Sequence, residues 1–525
     1  MVKLAAKKRR KEQGTADVVA AAKTTVNYTL FNQKITFDFL KSHLWAAADI
    51  LRGSLDPADY RQPIMTLLFI KRLNDTFEEN AEKLIKEEGR SEKEAYGNKN
   101  RHYFFISKEA RWSVLSKTSE NIGEKIDQVC RIIERENPDL DGVLTNTTYN
   151  DKRKFPDDRL RKLISHFNSP RLANSDLEST DIFGDAFEYL LEQFAEETKK
   201  SGGNFFTPKE IVRLLVNLVE PKEGMSICDP TCGSGGMLIE CMKYVSQHGG
   251  NPRNLVLEGQ EGNYGTLGMC KMNMVLHGLV DFKIEYGDTL SNPKLVEGGK
   301  LKTYEMVLAN FPFSMSWDGT AVANDRFGRF TYGIPPNHFA DFAFIQHIYT
   351  TLNSQGRAAI ITPQGVLFRG PPEEQIRKRM VLDDVIDGII TLPANLFYGT
   401  AIPACVVLLN RNKSKERNNK IIFIYAARDF YNAVKRDLLR QQDIEKIVSA
   451  FKNYKDIDGY CHIAGFDEIE ENEFNLNVPR YVDISKQEEE FDIQKTIDDL
   501  NRIEKERLYV EREVKNELVE LGFKV

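Results

Sequence analysis

The chain has few cysteines, no long apolar run and no excess of basic residues, and each shortage closes off a class of protein. Seven cysteines in 525 residues, at positions 130, 228, 232, 241, 270, 405 and 461, are too sparse and irregular for a disulfide framework, and their odd number suits a reducing cytosol. Cys228 and Cys232 lack a second pair at metal-ligand spacing, so no metal site is expected. No stretch reaches the roughly eighteen consecutive apolar residues of a membrane-crossing helix. The opening segment MVKLAAKKRRKEQ is basic, but the apolar stretch that a secretory signal requires does not follow it. A cytoplasmic protein with no membrane partner is expected. A formal net charge of −6 argues against a chain that grips nucleic acid unaided over its whole surface. If the ligand is DNA, a partner helps to hold it.

What the chain does have is length and a change of periodicity. At 525 residues it exceeds what one core usually supports. Residues 1–30 are charged and alanine-rich without an apolar period, and read as a basic flexible tail. Over 31–175, FLKSHLWAAADILRG and YRQPIMTLLFIKRLNDTFEENAEKLIKEE repeat apolar residues three and four apart, which predicts a helical N-terminal domain. SEKEAYGNKNRHYFF reads as a polar loop within it.

Over 176–480 the amphipathic DIFGDAFEYLLEQFAEE comes first, and then strands alternate with helices: MSICDP, GGMLIECMKYV, NLVLEGQE, TLGMCKMNMVLHG, FKIEYGD, YEMVLAN, DFAFIQHIYTTL, GRAAIITP and IPACVVLLN. That alternation predicts a doubly wound α/β sheet of Rossmann-like type. Thr207-Pro208-Lys209-Glu210 reads as a capping box, with Thr207 the N-cap and Pro208 the first helical residue. Over 481–525, Ile493, Ile497, Leu500, Ile503, Val510, Val514, Leu518 and Leu521 recur at helical spacing between charges. This coiled-coil-like helix wants a partner.

The residues that carry chemistry lie where strands end. MSICDPTCGSGG runs from a strand through Asp229 and Pro230 to Gly233, Ser234 and Gly235, then into a helix, as expected where backbone closely approaches a ligand. Leu238 stands where a dinucleotide fingerprint needs its last glycine. The acidic residue ahead of the glycines suits instead the ammonium of an amino-acid moiety, as in S-adenosylmethionine. The second strand ends at Glu261, placed to accept from ribose hydroxyls, and the third at Asp288, placed to accept from an adenine amino group. The fourth delivers Asn310, followed by Phe311, Pro312 and Phe313. A ring-bound amino nitrogen is a poor nucleophile because its lone pair is delocalised. A carboxamide oxygen and a neighbouring backbone carbonyl that accept its hydrogens favour a tetrahedral nitrogen aimed at a methyl donor. Phe313 would stack on the base, which must leave the duplex to reach the cofactor.

Taken together, LWAAADILRG, LLFIKRLNDTFEE, GDAFEYLLEQFA, GNFFTPKEIVRLLV, DPTCGSGGML, GQEGN, ADFAFIQH and LPANLFYGTAIPACVVLLN resemble the modification subunits of type I restriction–modification systems, which are N6-adenine DNA methyltransferases. The resemblance implies that Phe205, Thr207 and Pro208 line the methionine side of S-adenosylmethionine, and that Asp229, Pro230, Gly233, Ser234 and Gly235 form the glycine-loop contact. It implies Glu261 on the ribose, Asp288 near the adenine, and Asn310, Pro312 and Phe313 at the flipped base. It also implies partners: a specificity subunit that reads the DNA sequence, a second modification subunit and a restriction subunit.

One position departs from the family pattern of Asn-Pro-Pro-aromatic: Phe311 stands at the first proline. Phenylalanine lifts the restriction on Asn310 and adds a donor and a ring beside the base, so slow methyl transfer, raised by Phe311→Pro, is expected. The alternatives are a non-catalytic assembly or DNA-clamping subunit inactivated at Phe311, or a protein-glutamine or RNA methyltransferase sharing the motif. The stretch 314–340 is long for a loop and is expected to cover the base pocket or touch DNA, with disorder the competing reading. IRKRM at 376–380 reads as a phosphate contact or a solvated helix face.

Overall fold

The computed structural model describes residues 34–52, 57–179, 181–197, 206–320, 325–398, 402–433, 436–487 and 493–520. The basic tail at 1–30 lies outside them.

The first third is helical: α1 (Phe37–Leu51), α2 (Pro57–Lys86), α3 (Glu92–Gly97), α4 (Trp112–Lys117), α5 (Ile122–Glu136), α6 (Asp157–Phe167) and α7 (Asp181–Glu197). Thr36 starts α1, its Oγ1 accepting from the Phe39 amide. α3 falls where the sequence suggested only loop, because Ser91 Oγ accepts from the Glu94 amide and so nucleates a turn. Leu40, Leu44, Phe69, Phe167, Phe183, Phe187 and Phe194 share one core with the rest of this bundle. Each such side chain contributes about 1.5–3 kcal/mol by leaving water.

The remainder forms a nine-stranded sheet among the described residues: β1 (Ser226–Asp229), β2 (Val256–Glu261), β3 (Phe282–Tyr286), β4 (Tyr304–Asn310), β5 (Leu352–Pro363), β6 (Ile386–Thr391), β7 (Ala404–Asn410), β8 (Lys420–Tyr425) and β9 (Cys461–Gly465). Their order is β9-β8-β6-β7-β5-β4-β1-β2-β3. β3, β2, β1, β4 and β5 run parallel, while β7 is antiparallel to both its neighbours and β9 to β8. The intervening helices are α8 (Lys209–Val219), α9 (Gly236–Gln247), α10 (Tyr264–Leu276), α11 (Asp341–Thr350), α12 (Glu373–Leu382), α13 (Gln441–Asn453) and α14 (Phe466–Glu471), and α15 (Ile493–Glu520) ends the chain. α8, α9, α10 and α13 cover one face and α11 and α12 the other, giving the sheet a core on each side. The architecture is a doubly wound α/β sheet behind a helical N-terminal region. Met269, Met272 and Leu276 of α10 belong to the bundle's core, while Leu267, Cys270 and Met274 belong to the sheet's. One helix thus joins the two regions.

Strand order reverses at β1, which has β2 on one side and β4 on the other. Ligands of open α/β sheets sit at the carboxyl ends of strands where the order reverses, here the ends of β1 and β4.

Candidate active site

β1 ends at Asp229, 2% exposed, whose Oδ1 accepts from the Thr231 amide at 3.0 Å. The chain then turns through Gly233 (φ +53°) and Gly235 (φ +79°) into α9. At Gly235 a side chain would be both strained and blocked, since a Cβ there would lie 2.9 Å from Cys270 Sγ. Asn273, buried in α10, donates to the Ser234 carbonyl at 2.9 Å and fixes the loop from behind. Glu261, at the end of β2, accepts from the Gly233 amide at 3.0 Å and from the Asn263 amide at 2.7 Å. Burial pushes Asp229 up to about 7, the Thr231 amide opposing the rise and Glu261 adding to it; burial also raises Glu261, against the amides it accepts from. Two carboxyl groups, both raised by burial, stand around one glycine loop, an arrangement that suits a cationic ligand.

At the end of β4, Asn310 Nδ2 donates to Thr207 Oγ1 at 2.9 Å, which leaves the carboxamide oxygen as an acceptor. Thr207, Asp229, Gly233, Ser234 and Asn310 line one cleft, together with Glu188, Phe206, Lys209, Thr231, Cys232, Met237 and Glu240. Phe313 meets Phe397 edge to face, with centroids 5.9 Å apart and planes at 74°. Pro208 and Pro230 are buried beside this cleft, and the Pro230 carbonyl accepts from Thr289 Oγ1 at 2.5 Å. Pro312 is half-buried. Asp288 lies one strand beyond Glu261, and its Oδ1 accepts from the Leu290 and Ser291 amides. Phe205 falls outside the described residues.

Two expectations are corrected. Thr207 is not an N-cap: α8 begins at Lys209 with Pro208 in the cap position, and the Thr207 hydroxyl is turned to Asn310 instead. The Phe311 ring does not line the cleft. Along β4, Met306 and Leu308 face one core while Val307, Ala309 and Phe311 face the other, so the two-residue alternation of a strand carries past Asn310. Phe311 is 1% exposed and stacks on Phe344 with centroids 4.9 Å apart. Its side chain fills the core, which removes the ring from the expected causes of an impaired motif and leaves the backbone difference between phenylalanine and proline. The IRKRM cluster is likewise structural in part: Arg377 is buried and donates to the carbonyls of Phe474, Val366 and Arg369.

Sequence reading missed Glu188 of α7, which reaches the cleft and pairs with Lys209 at 3.0 Å. The available signal was Asp185, Glu188 and Glu192 at three- and four-residue spacing along one side of an amphipathic helix. Asp185, Glu188 and His277 bring three potential metal-ligand atoms together, but Lys243 Nζ lies 2.6 Å from Asp185 and supplies the cation with Lys209. Phe397 carries no sequence signal of its place against Phe313, because its partner lies 84 residues earlier in the chain.

Residues 178–490 match the family described as N-6 DNA Methylase, and residues 40–167 match the HsdM N-terminal domain. The chain is similar to the type I restriction enzyme MjaVIII methylase subunit of Methanocaldococcus jannaschii, 34% identical over 509 residues, spanning 93% of this chain and 86% of that one. It is also 32% identical to the type I restriction enzyme HindI methylase subunit of Haemophilus influenzae, spanning 79% and 99%. Among solved structures, the type I restriction-modification system methyltransferase subunit from Streptococcus thermophilus superimposes with a TM-score of 0.76 at 30% identity, covering 85% of this chain and all of that one.

Proposed function

The chain belongs to the N-6 DNA methylase family, among the methylase subunits of type I restriction enzymes, and from this premise we propose that its cleft at Asp229 and Asn310 methylates adenine N6 in DNA, with S-adenosylmethionine as donor. The observation that carries the assignment is the hydrogen bond from Asn310 to Thr207, which joins the residue aimed at the base to the segment lining the cofactor cleft.

S-adenosylmethionine supplies an electrophilic methyl group on a sulfonium. Asp229 would hold its ammonium and Glu261 its ribose, with Gly233, Ser234 and Gly235 as the close backbone contact and Asp288 toward the adenine. Thr207, with Phe205 and Pro208 around it, would flank the methionine portion. The Asn310 carboxamide oxygen accepts one hydrogen of the target amino group, and the backbone carbonyl at Phe311 is in sequence position to accept the other. Both pull electron density toward a lone pair on N6. Phe313 stacks on the flipped base, backed by Phe397, and Pro312 stiffens the turn between. The N6 proton leaves to solvent after transfer.

In this reading residues 31–175 form the helical domain, 176–480 the catalytic domain and 481–525 the assembly helix. The partners are a specificity subunit, a second copy of this chain and a restriction subunit, acting on duplex DNA in the cytoplasm. No helix among the described residues is long and apolar enough to cross a membrane. The test is calorimetric. Asp229→Ala and Glu261→Ala each remove a carboxylate partner and are expected to weaken S-adenosylmethionine binding by roughly 1.5–3 kcal/mol. Unchanged affinity in both variants would remove the cofactor assignment.

A further inference from the structure

We propose that Asp341 and Arg369 are positioning residues for methyl transfer, clamping the turn after Phe313 so that Asn310 and Phe313 keep the direction that a flipped base requires. The inference rests on the reading of the cleft given above. Ser314, the next residue in the chain, is held at φ +51°, the left-handed region that few non-glycine residues adopt. What imposes it is visible. Asp341, the first residue of α11 and 0% exposed, accepts from the Ser314 amide at 2.8 Å through Oδ1. Its Oδ2 takes Arg369 Nη1 at 2.7 Å, and Arg369 Nη2 reaches Ser314 Oγ at 3.4 Å. One carboxylate and one guanidinium therefore hold both the backbone and the side chain of the turn.

The clamp is itself held. Arg369 also donates to Glu373 at 3.2 Å and lies 4.1 Å over the Phe339 ring, while Arg377 Nη1 fixes its backbone by donating to the Arg369 carbonyl at 3.0 Å. Gly365 leaves the guanidinium its space, since a Cβ there would come within 2.5 Å of Arg369 Nε. Two more hydrogen bonds, from the Ala340 amide to the Met315 carbonyl and from the Trp317 amide to the Asn337 carbonyl, tie the outgoing chain to the segment leading into α11. None of these groups lines the cofactor cleft. Their effect belongs to the base side of the reaction, where a misplacement of about 1 Å costs on the order of a hundredfold in rate.

The test is single-turnover methyl transfer by the assembled complex at saturating S-adenosylmethionine and specific duplex, with cofactor affinity measured in parallel. Asp341→Asn keeps the size but loses the charge that holds Arg369, and should slow transfer at least about tenfold while cofactor affinity stays within about twofold. Arg369→Lys keeps the charge without the two-pronged grip, and should slow transfer in the same way with Asp341 intact. Ser314→Gly in the Asp341→Asn chain should recover about threefold or more, because glycine enters the left-handed region without strain. A purely structural role would give no such recovery. The inference is overturned if both single variants transfer at the wild-type rate, if cofactor affinity falls in step with the rate, or if Ser314→Gly recovers nothing. A wild-type complex that transfers no methyl group would overturn the parent reading and the inference together.

Discussion

Asp229 is the residue whose charge should follow occupancy of the cleft. Burial holds its carboxyl at about 7 in the ligand-free protein, whereas an ammonium partner requires the ionised form. Below pH 7, binding must therefore expel a proton, and affinity should fall by up to about tenfold per pH unit. Calorimetry at pH 6 in buffers of different ionisation heat should show roughly one proton released, and none in Asp229→Asn; an identical proton count in both would place the titration elsewhere. For folding, the raised value has the opposite sense: this group's contribution is fully present below the unfolded carboxyl's pKa and is lost as pH rises through about 7. Phe311 carries a second prediction at this scale. With its ring stacked on Phe344 inside the core, Phe311→Ala should cost about 3–5 kcal/mol in urea denaturation, and Phe311→Pro a comparable amount. Faster methylation by Phe311→Pro at unchanged stability would restore the expectation drawn from the motif alone. The positions of Asp229 and Asn310 were legible in the sequence because each ends a strand, whereas Thr207 read as an N-cap and its turn toward Asn310 was not legible. The direction of Phe311 was legible too, in the alternation of Met306, Val307, Leu308 and Ala309, but motif comparison weighed the residue type and not its parity.

Elements were legible where periodicity is long, as in α2 and α7, and the alternation after Thr207 correctly implied a doubly wound sheet. The antiparallel insertion of β7 between β5 and β6 was not legible, because ACVVLLN buries both faces and reads the same in either direction. Residues 314–340 show the converse limit. A polar, glycine-bearing stretch gave no sign that Arg329 would be buried at its centre, bonded to Asp325 and to the carbonyls of Thr289 and Leu290, so that 325–340 is anchored to the sheet's core. α15 is the element with the clearest unmet need. Leu500, Ile503, Val510 and Val514 stand exposed along it, which supports a docking role for that stripe. Deleting the residues after 488 should leave the sheet folded by circular dichroism but weaken assembly with the specificity subunit in light scattering. A truncated chain that assembles as the full one does would reject that role.

At the scale of the whole molecule, the acidic balance and the cleft at the ends of β1 and β4 fit a subunit that performs chemistry on a base presented with help from other chains. α7, whose apolar residues share the helical bundle's core, takes part in the site through Glu188, and α10 packs into both cores. The central claim is transfer to adenine N6 at Asn310. The measurement that tests it most directly is digestion and mass analysis of specific duplex DNA after a single turnover with the assembled complex and isotopically labelled S-adenosylmethionine. The wild-type chain should place the label on N6 of adenine, and Asn310→Ala should lose about a hundredfold or more in rate while still binding the cofactor. A wild-type complex that binds cofactor and DNA yet leaves adenine unlabelled, or an Asn310→Ala chain that transfers at the wild-type rate, would contradict it.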